Sequence, residues 1–356
     1  MTDLATPPVE HAHVPLRHPR LPSFAPALAA GIALAAAGLV GLTLDWGVPG
    51  IVVLAILLHL VGLTLWSRAV ENARAATDRL VTSLVWVALL VAMVPLVSLI
   101  LKVVTEGSSA INGKFLTWSM RNVIGEPGGI YHAIVGTLLI TLAATVISVP
   151  IGLLSAIYLV EYGEGSRLAR WIRFLVDVMT GIPSIVAGLF AYALFSLLFG
   201  PGTQMGLGGG VALSLLMIPI VVRSTEEMLK LVPTDLREAS YALGVPKWRT
   251  IVKVVLPTAM AGIITGVTLA IARVIGETAP LLIICGSTDS VNFNVFGGQM
   301  ASLPVFIYSS YTQPGSNPEI LKSMAWGAAL ILIIIVMALN LVARLAGKFF
   351  APKTGR

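Results

Sequence analysis

The sequence predicts an all-α polytopic membrane protein with about eight transmembrane helices, and three observations support this fold class. Of the 356 residues, 56% are hydrophobic and 11% are charged, a larger apolar excess than a soluble core requires. Apolar runs long enough to cross a bilayer recur along the chain. Basic residues collect in the short segments between alternate runs, as they do on the cytoplasmic side of membrane proteins.

The apolar runs give the order of the predicted spans. Residues 25–44 and 51–66 are separated by the turn-prone segment 45–50, so they predict a helical hairpin at 24–67. The remaining six predicted spans are residues 80–103, 133–159, 174–199, 211–222, 258–285 and 324–345. The span at 174–199 contains Gly181 and Pro183, which weaken a helix and are tolerated only against protein or a water-filled path. We therefore expect that span to line a pathway.

Two longer connections are predicted to lie outside the cell. Residues 105–132 show no strong period and are long enough for a small external structure, and residues 286–321 carry a moderately apolar middle that suggests an interfacial or re-entrant segment. The glycine-rich stretch 200–210 lacks the lysine-threonine ending of a phosphate-binding loop, so a flexible external turn is predicted instead.

The charges predict the orientation. With a cytoplasmic amino terminus, most of the 23 basic residues fall in cytoplasmic segments, and both termini lie in the cytoplasm. The basic residues that this arrangement places outside or at the outer edge are Lys102, Lys114, Arg121 and Lys322. Residues 1–23 are predicted to be a disordered cytoplasmic tail, and their histidines lack the structured setting of a metal site.

Residues 238–257 predict a helix, a tight corner and a second helix. Gly244 suits the left-handed conformation that ends a helix, and Pro246 suits the first turn of the next one. The second helix mixes Lys247 and Lys253 with apolar residues, so it should lie along a membrane surface, and Pro257 should end it before the next apolar run.

Arg273 and Glu277 stand four residues apart in the run 258–285, hence on one helical face and close enough to pair. Arg273 lies ~24 Å along this helix, at membrane depth, where a charge normally faces protein or an aqueous path. Two interpretations remain open: a cationic station for an anion that Glu277 moderates, or an ion pair that fixes helix register. Small residues at 262, 266 and 270 on this face would allow another helix or a pathway to come close.

The corner resembles the cytoplasmic loop of ABC-importer permeases. That loop carries a motif of fixed spacing: Glu-Ala-Ala, then a glycine, then an isoleucine shortly before Leu-Pro. The matching residues here are Glu238, Ala239, Ser240, Gly244, Leu256 and Pro257. Ser240 replaces alanine, and Val254 stands where isoleucine is usual. The resemblance implies a coupling helix that docks on an ATPase subunit, whereas an ordinary amphipathic connector is the alternative.

Residues 272–282, which include Arg273, Glu277 and Thr278, and residues 303–308 are similar to segments of the A-type permeases (the PstA family) of bacterial high-affinity phosphate importers. The resemblance implies a six-helix type I ABC-importer core at 68–346, with the hairpin extra to it and a cytoplasmic tail at 347–356. In that family the arginine that matches Arg273 is associated with phosphate passage, and the predicted substrate-pathway residues are Arg273, Glu277 and Thr278.

The same resemblance implies the partners: a C-type permease in a heterodimer, two copies of an ATPase subunit, and an extracytoplasmic phosphate-binding protein, in the bacterial plasma membrane. This chain carries no GxxxxGK[ST] motif, so ATP and magnesium are expected in the ATPase subunit and no cofactor or metal in this chain. The basic residues are spread over short loops, so no nucleic-acid partner is expected.

Three other functions compete with phosphate import. A permease for another oxyanion, such as sulfate or molybdate, would carry the same loop. An intramembrane enzyme is disfavoured because the spans contain no recognisable nucleophile with a base partner. A passive channel is disfavoured because it would not need a coupling loop.

Overall fold

The computed structural model describes residues 19–123, 127–315 and 317–350, and in these ranges all regular secondary structure is helical. Seven helices are long and apolar enough to cross a membrane, or eight if one bent pair is counted as a single span. This agrees with the predicted all-α fold of about eight spans. Most of the predicted amino-terminal tail, residues 1–18, and residues 351–356 lie outside the described residues.

The chain divides into two compact units, with the boundary between Ile100 and Leu101. The first unit contains an antiparallel hairpin followed by the greater part of a long helix. Its helices are α1 (Ala25–Thr43), α2 (Val48–Val70) and α3 (Ala73–Ser108). The predicted hairpin is therefore present with bounds within a few residues of those expected, and Asp45 takes a positive φ in its turn.

The second unit holds the other helices, and α8 is at its centre. The helices are α4 (Gly113–Thr117), α5 (Tyr131–Ile157), α6 (Arg167–Thr180), α7 (Ser184–Phe199), α8 (Gly206–Lys230), α9 (Thr234–Ala242), α10 (Lys247–Thr250), α11 (Leu256–Val274), α12 (Ala279–Ile284), α13 (Leu303–Thr312) and α14 (Pro318–Phe350). Helix α8 packs against α5, α6, α7, α11 and α12, and buried side chains of these helices form the largest core cluster. Helix α14 continues to Phe350, so the first residues of the predicted tail are helical.

The predicted continuous span at 174–199 is wrong. Helices α6 and α7 are bent by 109° at residues 181–183, and α6 begins at Arg167, seven residues before the predicted span. Pro183 has no N–H and restricts the residue before it, while the N–H groups of Gly181 and Ile182 bond back to Val178 and Met179 and close the helix.

The prediction that the helix ends at Pro257 is wrong. A π turn at Ile251–Val255 joins α10 to α11 in one continuous helix from Lys247 to Val274. Pro257 therefore sits in the first turn of α11 and directly follows the π turn. An inserted residue shifts the carbonyls that a proline ring would otherwise meet, so the helix continues without the missing N–H.

The glycines at 206–210 are not part of a flexible external turn. They form the first turns of α8, and all four are buried. A Cβ on Gly209 would lie 2.2 Å from Cys285 Sγ, and one on Gly208 would lie 2.5 Å from Ile284 Cγ1. The glycines thus let α12 approach the start of α8, a contact that the local sequence does not reveal.

The two segments predicted to be external pack on the core helices. Helix α13, with ten residues, is too short to cross a bilayer and buries Leu303 and Phe306 against α14. Thr137 of α5 accepts the Leu303 N–H at 2.7 Å. Asn112 caps α4 by accepting the Phe115 N–H, and Phe115 is buried. Among the described residues of the segment 105–132, the small structure that follows α3 is therefore the short helix α4, which the Phe115 side chain fixes in place.

Candidate functional site

Arg273 and Glu277 line one cavity of about 270 Å³ in the second unit. Its other walls are the break between α6 and α7, with Thr180, Pro183 and Ser184, and the middle of α8 around Pro219. Three interrupted or proline-containing segments thus meet at one place. Irregular backbone at membrane depth is tolerated where it lines a cavity, which fits this arrangement.

The predicted ion pair between Arg273 and Glu277 does not form. Helix α11 ends at Val274, so Glu277 lies beyond the helix, where its N–H bonds to the Val274 carbonyl at 3.1 Å. The i to i+4 geometry needs a continuous helix, and the predicted run 258–285 is instead two helices with a turn between them. Within the described residues, Arg273 makes no ion pair.

Thr278 does not line the cavity. It is the N-cap residue of α12, half-buried, and its carbonyl accepts the Leu282 N–H at 3.0 Å. Arg273, by contrast, is exposed and lies in the last turn of α11, where the helix dipole favours a cation.

The small residues behind Arg273 serve helix packing. A Cβ on Gly266 would lie 2.4 Å from Ser224 Oγ, and one on Gly262 would lie 2.2 Å from Met228 Sδ. Both contacts are with α8. The sequence left open whether another helix or a pathway comes close to this face of α11, and at these two glycines it is another helix.

A cluster of charged residues fixes α6 to the end of α8. Glu226 is buried, and it contacts Lys230 Nζ at 2.8 Å and Arg173 Nε at 3.1 Å. Glu226 and Lys230 lie four residues apart on α8, a spacing at which helical side chains pair. Arg223 pairs with Asp177 of α6, because α6 lies against this face of α8. Asp177 is one turn from Thr180, so the cluster adjoins the cavity.

The corner between α9 and α10 has the predicted left-handed glycine. Gly244 has a φ of +75°, its N–H bonds to the Tyr241 carbonyl at 2.9 Å, and no atom lies within 4 Å of the place where a Cβ would stand. Ser240 and Thr250 join the two helices through hydroxyl groups 2.8 Å apart, and both residues are buried. A serine at the third motif position thus has a structural role that alanine could not fill.

Arg237 fixes the corner to the rest of the unit. Its guanidinium donates to Glu161 Oε1 at 3.0 Å, to the Leu229 carbonyl at 2.9 Å and to the Val232 carbonyl at 2.6 Å. Glu161 lies in a second π turn, Tyr158–Tyr162, which follows α5. Sequence reasoning missed this pair because its members are separated by 76 residues.

The outer surface of the corner is apolar and uncovered in this chain. Leu243 is 83% exposed, and Tyr241 and Trp248 are also exposed. Glu238 and Ala239 lie on the same short helix and are exposed as well. Large exposed apolar side chains rimmed by charges are typical of a protein interface.

The chain is similar to known membrane transport proteins. A family described as "Binding-protein-dependent transport system inner membrane component" matches residues 148–356. The phosphate transport system permease protein PstA 1 of Mycobacterium tuberculosis is 48% identical over 292 residues, which cover 81% of this chain and 93% of that protein. The PstA of Pasteurella multocida is 38% identical over 283 residues, covering 80% and 98%.

Solved structures agree on the fold. A bacterial alginate ABC transporter, crystallised with a periplasmic protein bound to an alginate pentasaccharide, has a chain that matches with a TM-score of 0.57 at 13% identity, covering 79% of this chain and 97% of that one. At this identity the likeness concerns the fold alone. The family match, the identities and the multi-pass helical fold agree that the chain belongs to the binding-protein-dependent inner membrane components and, within them, to the PstA permease family.

Proposed function

We propose that this chain is the permease subunit of an ATP-driven importer of inorganic phosphate and forms half of the translocation pathway. The observation that carries the proposal is the cavity at the α6–α7 break, where Arg273 lies without an ion-pair partner among the described residues. The phosphate named in the M. tuberculosis and P. multocida relatives supplies the substrate class.

The chemistry of the cavity suits a tetrahedral anion. A guanidinium stays charged and donates paired hydrogen bonds to an oxyanion even where water is scarce. Ser184 begins α7 and lines the cavity, so the positive end of a 16-residue helix supports the same charge preference. The Glu277 carboxylate, on the same cavity, opposes strong anion binding, and conduction requires that a site release its ion.

A second permease completes the pathway. Arg273 is exposed in this chain although it lies at membrane depth, and an uncovered charge there needs a protein or aqueous neighbour. A C-type permease in a heterodimer would supply the opposite wall, and an extracytoplasmic phosphate-binding protein would deliver the substrate.

The corner around Gly244 is the proposed docking site of an ATPase subunit, which would bind ATP and magnesium. Its support is the exposed apolar surface of α9 and α10 and the residues Glu238, Ala239 and Ser240 that resemble the motif of other permeases. This chain is proposed to hold no cofactor and to perform no hydrolysis itself. Both termini are proposed to lie in the cytoplasm, on the same side as the corner.

Uptake into reconstituted vesicles tests the proposal. Vesicles holding the complete transporter should accumulate labelled phosphate when ATP is present on the cytoplasmic side and binding protein on the other. Labelled sulfate and molybdate should not accumulate at the same concentration. Transport of sulfate in place of phosphate would assign the pathway to another oxyanion, and ATP-independent flux would indicate a passive channel.

A further inference from the structure

The first unit contains a cavity of about 810 Å³ to which α1, α2 and α3 all contribute. Helices α1 and α2 pack on each other along the hairpin, with Ile51 against Gly41. The first half of α3 stands apart from them across the cavity, which is lined in part by Ala30, Leu63 and Trp86. This space is open to the surroundings and large enough to take a bound molecule.

The lining changes from charged to apolar along the cavity. Helix α1 begins, α2 ends and α3 begins at the same end of the hairpin, and that end supplies Arg20, Arg74 and Asp78. Trp86 of α3 is twelve residues beyond Arg74, or ~18 Å along a helix axis. The occupant that fits this gradient has a charged head and an apolar tail.

One ion pair at the charged end is internally satisfied. Glu71 accepts from Arg79 Nε at 2.7 Å and Arg79 Nη2 at 2.8 Å, and it also accepts from Ser67 Oγ at 2.6 Å and from the Leu21 N–H at 2.8 Å. Among the described residues that line this end of the cavity, the charged ones outside this pair are Arg20, Arg74 and Asp78. Their charges sum to a positive value, which favours an anionic group.

His59 adds a polar atom deeper in the cavity. It lies on α2, one turn from Leu63, and its Nδ1 is buried with no hydrogen-bond partner among the described residues. Because Nδ1 itself has almost no accessible surface, it is the ring as a whole that adds polarity to the wall at this depth. The ester groups of a phospholipid lie at this level, between the headgroup and the acyl chains.

We propose that this cavity binds an anionic phospholipid, with its phosphate between Arg20 and Arg74 and an acyl chain along Leu63 and Trp86. Free inorganic phosphate shares the headgroup chemistry, but it would leave the apolar half of the cavity empty. Basic pockets between transmembrane helices bind anionic headgroups in the same manner. The site is independent of the cavity at Arg273, because it lies wholly in the first unit.

Native mass spectrometry of the purified transporter complex tests this proposal. Phosphatidylglycerol and phosphatidylcholine with identical acyl chains are added in equal amounts to the detergent-solubilised complex. The wild-type complex should retain phosphatidylglycerol in preference. Each arginine near an anionic lipid contributes ~1 kcal/mol, which corresponds to about a fivefold change in binding. R20Q and R74Q should therefore each weaken retention about fivefold.

Arg68 provides the matched control, since it is an exposed arginine at the same end of α2 that does not line the cavity. R68Q should retain phosphatidylglycerol as the wild type does, and Trp86→Ala should weaken retention of both lipids. Equal retention in R74Q and R68Q would overturn the proposal. Displacement of the lipid by inorganic phosphate, with a phosphate adduct in its place, would overturn it too and assign the site to the free anion.

Discussion

Arg237 of α9 and Glu161 of the π turn after α5 form an ion pair, 3.0 Å from Nη2 to Oε1, that joins the corner to the membrane helices. Both side chains are largely buried, and Arg237 also donates to two carbonyls at the end of α8. The Arg237 side chain therefore links the corner to both α5 and α8, in addition to the chain connections at either end of the corner.

Replacing Arg237 should uncouple the corner. In R237Q the Glu161 carboxylate stays buried without its partner, and breaking such a pair typically costs roughly 3 kcal/mol or more. We expect transport and binding of the ATPase subunit to fail while the spans still insert, as measured by vesicle uptake and co-purification. R170Q is the control, because Arg170 is an exposed arginine of α6 that lies outside the corner. Normal transport by R237Q would refute this role.

Gly244→Val should impair coupling to the ATPase subunit by straining the backbone, without a steric clash of the new side chain. The position has open space around it but a φ of +75°, which costs an L-residue roughly 1–2 kcal/mol. ATP-driven uptake should fall, and Gly244→Asn should retain more of it, since asparagine tolerates this conformation.

Gly165 is the matched control for Gly244, with a φ of +72° and equally open surroundings, in the turn before α6. Gly165→Val should lower thermal stability to a similar degree but leave binding of the ATPase subunit unchanged. If both variants lose that binding equally, the effect reports general destabilisation and the docking assignment fails.

The local features of this corner were predictable, whereas contacts between distant segments were not. The backbone preferences of Gly244 and Pro246 are enough to predict the turn. The bounds of the hairpin helices follow from two apolar runs. The prediction of an Arg273–Glu277 ion pair was wrong because the apolar run continues past Val274, where helix α11 ends. The glycines at 206–210 read as a turn since their packing partner, α12, lies about 75 residues away in the chain.

The π turn before Pro257 shows a second limit of sequence reasoning. A proline after an amphipathic segment ordinarily predicts a helix end, but one inserted residue at Ile251–Val255 keeps the helix continuous. A proline, Pro183, also lies at the break between α6 and α7, and there the chain does turn. The two prolines differ in what precedes them: a π turn precedes Pro257, whereas the N–H groups of Gly181 and Ile182 close helix α6 before Pro183.

The Glu71–Arg79 pair predicts a pH dependence of stability. Hydrogen bonds from Arg79 and then from Ser67 lower the pKa of Glu71 from 4.5 to about 2. Because the folded-state pKa is depressed, the carboxylate contributes stability that is complete above about pH 4.5 and is lost as the pH falls toward 2.

Thermal unfolding in detergent checks this sign. The difference in unfolding midpoint between wild type and Glu71→Gln should be constant from about pH 7 to pH 5 and should shrink at lower pH. Arg68→Gln, which removes a charge outside the pair, provides a baseline. A difference that instead disappears between pH 7 and pH 6 would contradict the assignment.

Cysteine labelling tests the orientation. In a background with Cys285 replaced by alanine, cysteine at Ser108 or Ser287 should react with an impermeant thiol reagent added outside, because both positions are exposed in the proposed external segments. Cysteine at Thr234, at the start of α9, should react only after permeabilisation. The reverse pattern would place the corner outside and exclude docking of a cytoplasmic ATPase.

Uptake of labelled phosphate by Arg273 variants tests the central claim most directly. With the charge-assisted hydrogen bonds of the guanidinium removed, each worth about 1.5–3 kcal/mol, R273Q should transport roughly ten- to a hundredfold more slowly, and R273K should be partly active. R344Q, which removes an exposed arginine of α14, should transport normally. Since Arg273 and Glu277 form no ion pair, the variant with both R273Q and E277Q should stay as slow as R273Q. Restored uptake in that double variant, or wild-type uptake by R273Q in a correctly assembled complex, would contradict an anion site at Arg273.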